Sequence, residues 1–214
     1  MLHYFDIHTH NPSENQNVIS IVSVDIRQPF SLDYGYCSVG IHPWYAGMAG
    51  LSIIESIIDH PHVVAIGETG LDKLASTSLQ LQEELFIAQI ELAEKHWEPL
   101  IIHCVKAWSE LIAIKRRFTS HIPWIIHGFR GNGDLARQLL RLGFSLSFGE
   151  HFHPDALRAA WETHRLYAET DDATISIEEI YHQISVHLSI TVETLSHEIS
   201  ENLRVWTGLS VLNN

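Results

Sequence analysis

The sequence predicts an α/β fold, a distorted (β/α)8 TIM barrel whose first two outer helices are missing or vestigial. Short apolar runs alternate with longer helical patterns along the whole chain. Most of the runs read as continuous apolar stretches rather than polar/apolar alternations, as expected of parallel strands buried on both faces. Histidines and acids also gather at the ends of these runs, the positions from which a barrel builds its active face.

Strand one is expected near 4–8 (YFDIH) and strand two near 17–24 (NVISIVSV), joined only by NPSENQ. Strand three, near 36–42 (YCSVGIH), follows DIRQPFSLDYG. These two stretches hold only six and eleven residues, whereas a parallel crossover generally takes a dozen or more, often as a helix. From there each strand has its helix. Helix 50–60 precedes the strand near 63–68 (VVAIGE), and helix 78–97 precedes the strand near 99–103 (PLIIH). Helix 107–119 leads to 123–127 (PWIIH), helix 133–142 to 144–148 (FSLSF), and helix 154–164 to 166–170 (LYAET). Helices at 176–188 and 191–206 finish the pattern. No linker, repeat or low-complexity segment divides the chain, so residues 1–214 read as one domain.

Composition excludes several classes. Hydrophobic content of 45% with 18% charged residues argues against disorder. No apolar run approaches the ~18 residues of a membrane span, and the first residues lack the basic-then-apolar order of a signal peptide. Two cysteines, Cys37 and Cys104, do not make a disulfide scaffold, so a cytoplasmic, reducing setting is expected. The net charge of −13 works against tight binding of long nucleic acid, which depends on basic residues neutralising phosphates. No obligate protein partner is implied.

The 16 histidines matter by position. In FDIHTH, residues 5–10, His8 and His10 stand at i and i+2 of a strand and therefore point to the same face. Alone, such a pair is a metal-ligand pair or a surface pair equally. The other strand ends decide between them. Strand three ends in His42, and strand four in Glu68 with Asp72 beyond it. Strand five ends in His103, strand six in His127, and strand eight in Glu169 and Asp171. Imidazole with carboxylate suits zinc, manganese or iron. The candidates exceed what one tetrahedral ion needs, and a carboxylate such as Glu68 can bridge two ions roughly 3.5–4 Å apart.

These residues carry a family resemblance. FDIHTH, GIHPW (40–44), AIGETGLD (65–72), IIHCVKA (101–107), IIHGFRG (125–131) and ETD (169–171) are similar, in order and context, to the TatD-like metal-dependent deoxyribonucleases. That family lies among the amidohydrolase-like metal-dependent hydrolases. QLQEELF (80–86) and ENLRVWTG (201–208) resemble it too. The resemblance implies hydrolysis of phosphodiester bonds in DNA ends or short oligonucleotides, with two divalent ions per chain (Zn, Mg or Mn). It implies His8 and His10 as ligands of one ion, Glu68 as the bridging carboxylate, and His103 and His127 as ligands of the second. Asp171 becomes a ligand that also orients or deprotonates the attacking water, so Glu68 and Asp171 are the catalytic carboxylates.

Other residues carry two readings each. His42 contacts a substrate phosphate, supports the ligands, or packs beneath the GIHPW turn. Asp6 orients a ligand imidazole or caps its strand. Asp72 holds Lys106 or Arg130, or is a solvated loop acid. Lys106 and Arg130 are the best available phosphate contacts, or generic surface residues. Cys104 reads as core packing, and His151 and His153 of HFH as a surface or loop pair. The aromatic residues of GIHPW and WIIHGF read as core or pocket wall rather than as a base-stacking platform.

The chain departs from the family in its first two crossovers, in Val105 where the resemblance suggests arginine, and in DDATIS after Asp171. These changes touch pocket walls and phosphate contacts rather than ligands. An ester or amide hydrolase on another substrate is therefore the alternative enzyme, and a non-catalytic metal-stabilised scaffold the alternative outside enzymes.

Overall fold

A computed structural model of the chain describes residues 2–28, 31, 35–45, 47 and 50–207, with side chains as far as 204. The strands are β1 (Tyr4–Thr9), β2 (Val18–Asp25), β3 (Tyr36–Gly40), β4 (Val63–Asp72), β5 (Leu100–Val105), β6 (Trp124–Ile126), β7 (Phe144–Phe148) and β8 (Leu166–Ala168). The helices are α1 (Gly50–Ile57), α2 (Leu79–His96), α3 (Trp108–Lys115), α4 (Gly133–Arg141), α5 (Pro154–Glu162), α6 (Ile177–Leu188) and α7 (Val192–Thr207), with a 3-10 turn at Pro43–Tyr45. Strand order in the sheet is chain order, β1 to β8, so the (β/α)8 fold class expected from the sequence is the one formed. Among the described residues neither of the first two crossovers contains a helix. Residues 29, 30 and 32–34 of the second crossover, and Gly208 of the ENLRVWTG stretch, lie outside the described residues.

The chain divides into two compact units, Met1–Val22 with His127–Asn214, and Ser23–Ile126. In the first unit β1 runs parallel to β2, with Tyr4 beside Val18 and Phe5 beside Ile19. β7 runs parallel to β8, with Leu146 beside Leu166. Beyond β8 the chain returns to β1: Asp171 N–H donates to His8 O at 2.9 Å, and His10 N–H donates to Asp171 O at 3.0 Å. Ile7, Phe144, Leu146, Phe148, Leu166 and Ala168 are buried beneath these ends. The buried Tyr181 of α6 fastens β1, its hydroxyl accepting from Phe5 N–H at 3.0 Å and donating to Phe5 O at 3.1 Å. The starts of α4, α5 and α6 each have a polar cap that satisfies an otherwise orphaned N–H: Asn132 for α4, His153 followed by Pro154 for α5, and Ser176 for α6. His153 of the HFH stretch thus caps a helix, and His151 is exposed.

In the second unit β3, β4, β5 and β6 pair parallel in succession, with Ile66 beside Leu100 and Leu100 beside Trp124. α2 starts at the Ser78 cap and ends where Trp97 takes a left-handed conformation, its N–H bonding Ala93 O. Its buried face carries Leu85, Phe86, Ile90 and Ala93, together with two glutamines, Gln82 and Gln89. One boundary differs from expectation: β4 continues past Glu68 to Asp72, buried at every position. Gly70 makes this possible. Its φ is +140°, and any Cβ there would collide with the His103 carbonyl of β5, so only glycine lets the two strands approach.

Candidate metal centre

Each unit carries its own group of ligand-type side chains at its strand ends. In the first unit, β1 ends in His8, fully buried, and His10, half-exposed, with ring centroids 5.2 Å apart. Asp171 faces both. Its Oδ1 lies 3.6 Å from His8 Nε2 and 3.6 Å from His10 Nε2. His127, just past β6, brings its ring to 4.2 Å from that of His8, and its Nδ1 lies 3.5 Å from Glu169 Oε1. His8, His10 and Asp171 form one potential ion-holding group, and His127, Glu169 and Asp171 another.

The backbone sets this geometry. Asp171 has φ +54°, a left-handed turn that aspartate tolerates better than most residues. The two hydrogen bonds to His8 and His10 hold that turn. Asp6 holds it from beneath, accepting Thr170 N–H at 2.9 Å and the Thr170 hydroxyl at 2.6 Å. It also accepts a backbone hydrogen bond from His8. Burial pushes the Asp6 carboxyl up to about 7, and the charge of Glu169 adds to this against those hydrogen bonds. Asp6 thus positions Thr170, between Glu169 and Asp171.

The donor set fits a divalent cation on two observations. Ligand atoms around a tetrahedral ion with bonds of ~2.0–2.2 Å stand roughly 3.3–3.6 Å apart, which is the spacing of Asp171 from both histidines and of Glu169 from His127. Glu169 is also fully buried: its Oε1 accepts from Gly128 N–H, while its Oε2 has no hydrogen-bond partner among the described residues. A buried carboxylate oxygen left so is costly unless a cation or donor meets it.

In the second unit Glu68 is the hub. Its Oε1 lies 3.1 Å from His42 Nε2 and 2.7 Å from His103 Nδ1, and these three form a further potential ion-holding group. His103 Nε2 lies 3.2 Å from Asp72 Oδ2, the carboxylate–imidazole contact that orients ligand histidines in metal sites. Asp72 also accepts the Trp44 indole N–H at the same oxygen and the Leu74 N–H at its other oxygen. Burial pushes the Asp72 carboxyl up, but these hydrogen bonds outweigh it and hold it below the usual carboxylate range.

Gln82 and Gln89 brace the group from α2. Gln82 accepts from Asp72 N–H at 2.7 Å and donates to Asp72 O at 3.0 Å. Gln89 accepts from Ile41 N–H at 2.7 Å, next to His42. Sequence reasoning missed both, although two glutamines seven apart on one apolar helix face were a visible signal.

Of the residues first read as substrate contacts, His42 joins Glu68 and His103, and its Nδ1 accepts Trp44 N–H at 3.1 Å. Asp72 is a buried strand residue rather than a solvated loop acid. Lys106 and Arg130 are exposed, just past β5 and β6. Cys104 is half-buried, and burial pushes its thiol up to about 12.

The sequence profile of the TatD related DNase family matches residues 23–206. The chain belongs to that family. An uncharacterized metal-dependent hydrolase, YabD, from Bacillus subtilis is 36% identical over 122 residues, covering 55% of this chain and 48% of its own. A 3'-5' ssDNA/RNA exonuclease TatD from Musicola paradisiaca is 36% identical over 153 residues, covering 64% of this chain and 57% of its own. The chain thus spans about half the length of the curated relatives it matches. Among solved structures, YJJV, a TatD homologue from Escherichia coli, superposes with a TM-score of 0.81 at 18% identity, over 96% of this chain and 98% of that one. This likeness gives the TatD family member its barrel fold.

Proposed function

We propose that this TatD family protein is a metal-dependent hydrolase of phosphodiester bonds, acting on DNA ends or short oligonucleotides with two divalent ions of zinc, magnesium or manganese. One observation carries the reading: Asp171 Oδ1 stands 3.6 Å from both His8 Nε2 and His10 Nε2, at ligand spacing and on a turn fixed by β1. The proposed ligands are His8, His10, Glu68, His103, His127 and Asp171. The exonuclease named in the Musicola relative supports the substrate class.

Bound divalent cations supply a water of lowered pKa and stabilise charge on the attacking and leaving oxygens. The chain's own residues do the rest. Asp171, with its side chain 28% exposed, accepts the proton of the attacking water, and Asp6 and Thr170 keep it in place. Glu68 holds the His42 and His103 imidazoles in orientation. Lys106 and Arg130 meet substrate phosphates.

We read residues 1–214 as a single domain, since the family match includes residues of both units. No helix among the described residues is long and apolar enough to cross a membrane. The free thiols of Cys37 and Cys104 support a reducing, cytoplasmic setting. The net charge of −13 keeps a second reading in view, hydrolysis of another small ester or amide.

The test is a nuclease assay on single- and double-stranded DNA with Mg2+, Mn2+ and Zn2+, beside a panel of ester and amide substrates. Ion-dependent DNA cleavage supports the first reading, and turnover of an ester or amide alone supports the second. An Asp171→Asn variant with full activity on every substrate would remove the water-activating role.

A further inference from the structure

Trp44 lies beside the second unit's group and is 51% exposed, although the sequence suggested a core or wall position for it. An exposed indole is unremarkable if it is loose, but this one is pinned. Its Nε1–H donates to the buried Asp72, whose backbone is clamped on both sides by Gln82. Its aromatic neighbours all meet it edge-on: His42 at 5.0 Å and 82°, Tyr45 at 6.3 Å and 78°, His103 at 6.3 Å and 76°. Among the described residues no ring lies parallel to the indole.

Tyr45, next in the chain, differs. The Arg27 guanidinium sits 3.3 Å from its ring centroid, and Asp25 in turn holds Arg27 through contacts of 2.7 and 2.8 Å. Its face is already covered. Leu74, 66% exposed, is tied to the same Asp72 carboxylate as Trp44, through its backbone N–H. A rigid indole therefore stands next to His42 and His103.

We propose that Trp44 stacks a terminal base of a single-stranded oligonucleotide and so presents the adjoining phosphodiester to the His42–Glu68–His103 group. This rests on the phosphodiesterase reading above. Charge favours a base as the occupant. A chain of net charge −13 gains little from neutralising phosphates, whereas stacking on a base's π-face needs no cation and tolerates any sequence. A ring already held in place also loses little conformational freedom on binding.

The test measures binding of a labelled hexathymidylate by fluorescence anisotropy, with chelator present so that no hydrolysis intervenes. The probe is used intact and with an abasic sugar at one end or the other. Trp44→Leu should weaken binding of the intact probe about tenfold. Trp44→Phe, which keeps an aromatic face but loses the N–H, should stay within about threefold of wild type. One abasic probe should bind wild type as weakly as the intact probe binds Trp44→Leu, with no further loss in the variant. Equal binding by wild type and Trp44→Leu overturns the proposal, as does Trp44→Phe falling with Trp44→Leu. If wild type cleaves DNA in the metal assay while Trp44→Leu binds unchanged, stacking alone fails. If wild type neither binds nor cleaves any oligonucleotide, the phosphodiesterase reading fails and stacking with it.

Discussion

The two candidate ligand groups are built differently. Around Asp171 the imidazole-to-carboxylate distances are 3.6 Å, the separation of atoms that share an ion. Around Glu68 they are 2.7 and 3.1 Å, the separation of hydrogen-bonded partners. The first group is placed by main chain: two backbone hydrogen bonds join β1 to the turn after β8, with Asp6 and Thr170 beneath. The second is placed by side chains: Gln82, Gln89, Asp72 and Trp44 form a network reaching back to α2. The lesson is that similar residues at equivalent strand ends can be held by the backbone in one unit and by packed amides in the other. A change in the first should therefore alter chemistry, and a change behind the second should alter stability first.

The largest effect is expected from Asp171→Asn, which keeps the shape of the side chain but removes the proton acceptor. It should lower kcat on a cleavable oligonucleotide by about 10²–10⁴-fold with an unchanged circular dichroism spectrum. A loss confined to KM would make Asp171 a binding residue and weaken the contrast. Gln82→Leu probes the other side. It leaves buried Asp72 N–H and O without their partner, and should cost about 2–3 kcal/mol in a denaturant titration. An unfolding midpoint equal to wild type would show that the amide clamp is dispensable.

Thr170→Val is smaller. It removes the hydroxyl given to Asp6 and should cost about 1–2 kcal/mol, with a fall in kcat larger than any rise in KM if the turn positions Asp171. The smallest effect comes from a residue outside both groups. Burial first, and the charge of Asp59 second, push the Glu98 carboxyl up to about 7 against the opposing His96. The folded chain then holds a proton that the unfolded chain has lost, so Glu98 makes stability fall as pH rises from about 4.5 to 7. Glu98→Gln should raise Tm by a few degrees at pH 8 and change it little near pH 4.5. The opposite trend would show Glu98 paired with His96 rather than penalised by burial.

Much of this was legible in the sequence, for a physical reason. Continuous apolar runs ending in histidine and acid mark parallel strands together with their C-terminal ends, so all eight strands could be located in advance, with His8, His10, His103, His127 and Asp171 expected at or just past those ends. What escaped depends on neighbours far along the chain. Gly70 reads as a break after GET, yet β5 turns it into the residue that lets β4 continue to Asp72. Asp72 reads as a loop acid, but its environment comes from Trp44, Gln82 and His103. Asp6, expected beside an imidazole or as a strand cap, instead takes up Thr170, 164 positions away in sequence. The exposure of Trp44 likewise follows from tertiary contacts, since GIHPW alone fits a buried turn equally well.

The central claim is that the group around Asp171 holds a divalent ion needed for hydrolysis. Its most direct test is metal analysis after equilibrium with Mn2+ or Zn2+, on wild type and on a His10→Ala/Asp171→Ala variant of matching circular dichroism. The account predicts about two ions per wild-type chain and about one in the variant, with nuclease activity lost. Equal metal content in both proteins would contradict it, as would full activity of wild type in excess chelator.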